Sequence, residues 1–115
     1  MMPSSRQLMR APLVFRKTGA LAMAQSLSHP ASWRILEIRL HLNAAGGVAE
    51  DFTAKVDSST AAVYDALLFS QDTNGLTDIF DVTPHHIATG DEVDFAWANA
   101  GGKTWGLEVF YEVLP

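Results

Sequence analysis

The sequence predicts an all-β fold: an antiparallel β-sandwich or jelly roll of about seven strands, preceded by an extended N-terminal arm. Three observations carry this expectation. From Trp33 onward, apolar and polar residues alternate with a period of two. Turn residues such as Gly, Asn, Asp and Ser interrupt that alternation about every 8–15 positions. Nothing between the alternating runs is long enough for the crossover helix that parallel strands require.

The first 32 residues read as an arm with no sustained period. Pro3, Pro12, Gly19 and Pro30 punctuate it, and Ser28-His29-Pro30-Ala31-Ser32 marks its end. The Ala, Leu, Met and Gln residues between Gly19 and Ser26 favour a short helix there. Ala20 to Ala24 looks like the end of a signal peptide, but Arg16-Lys17-Thr18 splits the apolar stretch before it, so no cleavage is expected.

The first strand starts at Trp33. Leu36, Ile38, Leu40 and Leu42 are expected on one face and Glu37, Arg39 and His41 on the other, the pattern of a half-buried antiparallel strand. Phe52, Ala54 and Val56 alternate in a second strand that ends at Asp57-Ser58-Ser59-Thr60. A third covers Val63 to Ser70, and Asp72-Thr73-Asn74-Gly75 turns the chain with residues that tolerate positive φ. Leu76 to Val82 makes the fourth strand and His85 to Ala88 a short fifth. Val93, Phe95 and Trp97 define the sixth, and Thr104 to Leu114 the seventh. The domain therefore spans residues 33–115, a body small enough to bury only about 60–65% of its unfolded surface. Contacts with partner subunits would add to so thin a core.

Charge divides the chain at the same place. Residues 1–32 carry Arg6, Arg10, Arg16 and Lys17 and no acid, whereas residues 33–115 carry four basic and all 13 acidic residues, a balance of +4 followed by −9. A basic arm on an acidic body is expected to bind something. The body repels nucleic acid, and the four cations lack the aromatic platform that single strands stack on. The run Leu13-Val14-Phe15 points instead to a protein surface. No membrane partner is expected, since no stretch approaches 18 consecutive apolar residues.

Chemistry finds little support. The chain has no cysteine, which excludes disulfides and thiolate metal sites. His85 and His86 are adjacent and leave opposite faces of a strand, and His41 and His29 lie on an outer face and in a linker, so no metal set converges. Asp91, Glu92 and Asp94, with Asp78 and Asp81, are read as turn caps and solvated acids. Gly101-Gly102-Lys103-Thr104 resembles the end of a phosphate loop but lacks the upstream glycine and the helix. No Gly-x-Ser-x-Gly elbow is present. The expectation is a non-enzyme without cofactor or metal. Trp33, Trp97 and Trp105 are expected to fill the core, the competing reading being a sugar-binding face. Trp105, Phe110 and Tyr111 on the last strand are candidate subunit contacts.

Four segments carry a family resemblance: Leu36 to Leu42, Ala62 to Leu68, Gly90 to Asn99 and Thr104 to Val109. Through them the body resembles small β-sandwich accessory proteins of tailed phages and prophages. The resemblance implies a virion structural protein assembled in the host cytoplasm, first of all a capsid decoration or cement subunit. It implies copies of itself and the major capsid protein, or other virion proteins, as partners. A tail or fibre component and a carbohydrate-binding module are the alternatives. Arg6, Arg10, Leu13, Val14, Phe15, Arg16 and Lys17 are expected to anchor the arm on the particle. Removing residues 1–28 is then expected to leave the sandwich folded.

Overall fold

The computed structural model describes residues 12–115. Among these run nine strands: β1 (Leu13–Gly19), β2 (Met23–Ser28), β3 (Trp33–Leu42), β4 (Asp51–Asp57), β5 (Ala66–Asp72), β6 (Asp78–Asp81), β7 (His85–Ile87), β8 (Glu92–Trp97) and β9 (Trp105–Val113). One sheet has the order β1-β9-β3-β6, with β7 also on β3; the other has the order β2-β8-β4-β5. Every pairing between strands is antiparallel.

The pairings nest. β1 pairs with β9, β2 with β8, β3 with β6 and β7, and β4 with β5. A hairpin folded over on itself in this way is a jelly roll, two sheets wrapped from one ribbon. β6 pairs with Ile38 to His41 and β7 with Trp33 to Ile35, so together they fill the place of one strand. Pro84 sits between them, and its missing N–H accounts for the interruption.

The seven strands expected after Trp33 are all present, as β3 to β9. The two additional strands come from residues assigned to the arm. β1 extends one sheet and β2 the other, so the sandwich begins at Leu13 and not at Trp33. No helix forms between Gly19 and Ser26. Met23 and Leu27 are buried four residues apart on an extended strand, where pairing with β8 overrides local helix preference. The third expected strand starts later, because Ala62–Tyr64 forms a 3-10 turn before β5.

β3 also departs from strict alternation. A register shift between Ile35 and Glu37 inserts one residue, so that Trp33 and Ile35 and then Ile38, Leu40 and Leu42 all face the core. Leu36, expected among the inward residues, is the one displaced, and it is only half-buried. Between the sheets, Trp33, Ile38, Leu107 and Val109 of one face Phe52, Val93 and Phe95 of the other, all essentially inaccessible. Each such side chain contributes roughly 1.5–3 kcal/mol by leaving water.

At two opposite sides of the sandwich the chain passes directly between the outermost strands of the two sheets. Residues 20–22 carry it from β1 to β2, and residues 73–77 carry it from β5 to β6; these are the outermost strands of the two sheets. The first corner is fastened from beneath, where the Trp105 indole N–H (2.8 Å) and the Asn99 amide (3.0 Å) both donate to the Leu21 carbonyl.

Candidate functional site

On the outer face of the β1-β9-β3-β6 sheet the charges stand in rows. Arg16 on β1 lies opposite Glu108 on β9, which lies opposite Arg39 on β3. The Arg16 Nε donates to Glu108 at 2.7 Å and the Arg39 Nε to Glu37 at 2.6 Å. Arg39 also lies 4.6 Å from the centre of the Phe110 ring, a cation–π contact. Its hydrogen bond to Glu37 raises the Arg39 pKa further, and the charge of Glu108 adds to the rise. Arg34 pairs with Glu112, and the His41 Nδ1 meets Asp78 at 2.7 Å. That hydrogen bond holds the Asp78 carboxyl below its ordinary value. Gly106 stands between Thr18 and His41 in the next row, leaving a shallow groove of about 570 Å³ beside Arg16 and Glu108. Exposed pairs of this kind contribute little stability, because water screens them and ordering two side chains costs entropy.

The other outer face is acidic. Asp57, Glu92 and Asp94 bring carboxylate oxygens within 4.8 Å of one another, because β4 and β8 place Asp57 opposite Glu92 and Lys55 opposite Asp94. The Ser26 hydroxyl donates to Asp94 at 2.8 Å. Glu92 is raised above the usual carboxylate range, first by its hydrogen bond with Asp94, then by desolvation and by the neighbouring charges. Asp91 is not part of this group. It is buried, and accepts from the backbone N–H (3.0 Å) and hydroxyl (3.1 Å) of Ser59, capping a turn as expected. Sequence spacing showed Glu92 and Asp94 but not Asp57, which joins them only through the β4–β8 register.

The histidines do not converge. His85 is nearly buried and holds Asp81 at 2.7 Å, His86 is exposed on the opposite side of its strand, and the His29 ring accepts from the Ala31 N–H at 3.3 Å. Residues 99–103 form a tight turn with Asn99 and Gly102 at positive φ, and a strand follows instead of a helix.

Of the expected anchor residues, Arg6 and Arg10 lie outside the described residues. Leu13, Val14, Phe15, Arg16 and Lys17 form β1, paired with β9 of their own chain. Phe15 packs on Phe95 across the sandwich at 6.4 Å and so belongs to the interior. Leu13 and Val14 remain exposed, at 47% and 40%. The expected subunit contacts separate in the same way. Trp105 is 3% exposed and offers no surface to a partner; Tyr111 stands edge-on against Trp33; Phe110 alone lies on the outer face. Trp33 and Trp97 are equally buried, so none of the tryptophans is presented for sugar stacking.

Most of the large exposed apolar side chains lie instead on or next to the outermost strands, at the side where β1 passes to β2 and the side where β5 passes to β6. One side has Leu13, Val14 and Leu21. The other has Val63, Tyr64, Leu67, Phe80 and Val82, with Val63 82% exposed. The second group is hidden in the sequence because Val63 and Leu67 read as ordinary strand residues. The signal was there in the unbroken run Ala61-Ala62-Val63-Tyr64, which no polar face interrupts.

No protein-family model and no curated protein matches the chain. Among solved structures, it is similar to the Drosophila NLP core, described as giving insight into pentamer formation and histone binding. The TM-score is 0.52 at 9% identity, over 86% of this chain and 97% of that one. It is also similar to a family 16 carbohydrate-binding module, with a TM-score of 0.43 and 8% identity over 86% of this chain and 75% of that one. At such identities the first likeness is one of fold.

Proposed function

We propose that this chain is a non-enzymatic structural protein of a bacteriophage particle, a capsid decoration or cement subunit that assembles with copies of itself and attaches to the major capsid protein or other virion proteins. The observation that carries the assembly half of this reading is the placement of exposed apolar residues at two opposite sides of the sandwich. Exposed apolar side chains grouped on the outermost strands of a domain are candidates for interaction sites. The Drosophila structure supports it to this extent: the same fold, in a protein described as forming a pentamer, serves as the subunit of a larger body. The virion half comes from the resemblance of residues 33–113. The segment bearing Arg6 and Arg10 is joined directly to the exposed start of β1, where a basic tether can reach a neighbouring acidic protein.

The test is the composition of particles. Particles banded from an induced lysate of cells encoding the chain are expected to hold it in many copies, released when residues 1–11 are deleted. A chain found wholly in the soluble fraction, with no particle-bound copies, overturns the reading.

A further inference from the structure

The two apolar sides differ in charge. The first is built from β1 and β2, and residues 12–28 contain Arg16 and Lys17 and no acid. The second is built from β5, β6 and the turn before β5, and residues 61–82 contain Asp65, Asp72, Asp78 and Asp81 and no basic residue. Of those four acids only Asp81 is buried. Arg16 and Lys17 are both exposed, and among the described residues Arg16 bonds Glu108 through its Nε, with further guanidinium N–H groups available to donate.

Both sides also end in an edge strand. Among the described residues no strand pairs with the outer edge of β1 or of β5, and β5 has no Lys or Pro to block another strand. Two copies meeting through the same side would set basic against basic or acidic against acidic, which costs affinity. Opposite sides bring apolar residues together and oppose unlike charges. We infer that copies of this chain join side to side in one sense, the basic β1–β2 side of each seated on the acidic β5–β6 side of the next. Such a contact is heterologous. It closes into a ring when the rotation between copies divides a full turn and runs on as a filament otherwise, but it does not stop at a two-fold dimer. The inference rests on the self-assembly proposed above and names the surfaces that perform it.

Sedimentation velocity on the full chain and two double variants tests it. Val14→Asp with Lys17→Asp blocks the basic side. Val63→Asp with Leu67→Asp blocks the acidic side. All four positions are exposed, so both variants are expected to keep the circular dichroism of the parent. The parent is expected to sediment as more than two copies and each variant as a single copy. An equimolar mixture of the variants is expected to give a dimer and nothing larger, because only one compatible pair of sides remains. A variant that keeps the parent's mass, or a mixture that stays monomeric, overturns the inference while leaving self-assembly standing. A monomeric parent overturns both.

Discussion

The buried Trp97 indole N–H donates to the hydroxyl of Thr73 at 3.0 Å, and that hydroxyl in turn donates to the Glu50 carbonyl at 3.1 Å. A core tryptophan on β8 is thereby tied to the corner between β5 and β6 and to the loop entering β4. Thr73→Val keeps the shape but leaves the indole donor and the carbonyl without this partner. The expected loss is about 1–3 kcal/mol, seen as a lower midpoint in chemical denaturation, with Thr73→Ser recovering most of it.

The same corner makes Gly46 irreplaceable. Gly46 donates to the Leu76 carbonyl and accepts from Gly75, which presses its α-carbon onto Thr73. A methyl group there would overlap the Thr73 carbonyl oxygen and stand 2.9 Å from its carbon, a clash with backbone that cannot swing away. Gly46→Ala is expected to cost about 1–3 kcal/mol in thermal denaturation, whereas Gly47→Ala, with open space around it, is expected to cost far less.

Removal of the first residues separates two cases. Deleting 1–11 removes none of the described strands and is expected to leave the melting transition in place. Deleting 1–28 removes β1 and β2 with Phe15, Met23 and Leu27, exposing Val109, Phe95 and Val93 along their outer edges. Loss of the cooperative transition by circular dichroism is expected for the longer deletion, contrary to what the charge boundary at residue 32 suggests.

Glu92 supplies a pH-dependent prediction. Its folded-state pKa is raised, chiefly because its protonated form hydrogen-bonds Asp94, so the folded protein holds this proton more tightly than the unfolded chain does. Stability from this group is therefore greatest in acid and falls as the pH rises from the ordinary glutamate value through the raised one. Glu92→Gln is expected to raise the melting temperature at pH 7, and the gain is expected to shrink towards pH 4. A gain that is constant over that range would contradict the assignment.

Strands β3, β8 and β9 were legible because each buries alternate residues, β3 on either side of its one-residue shift, and alternation survives in the sequence. β1 and β2 were not, for a physical reason. Edge strands bury less, so Lys17 is tolerated at an inward-register position of β1 opposite Leu107 and Gln25 at one of β2 opposite Phe95. The surfaces followed the same rule. The charge split was visible, yet what it becomes in the fold, basic at one side and acidic at the other, depends on which strands are outermost. That order is a property of pairing between distant residues, and spacing along the chain does not contain it.

The nesting of strands fixes an order of events during synthesis. Phe15 waits for Val109 and Met23 for Trp97, so the ribbon's first two strands leave the ribosome long before their partners exist. Only the innermost hairpin, β4 with β5, can form early from neighbours, and closure proceeds outward from it. Such long-range pairing is slow, on the order of milliseconds to seconds. During that wait the chain holds its N-terminal strands open, where a chaperone or another nascent copy can reach them before its own β8 and β9 do.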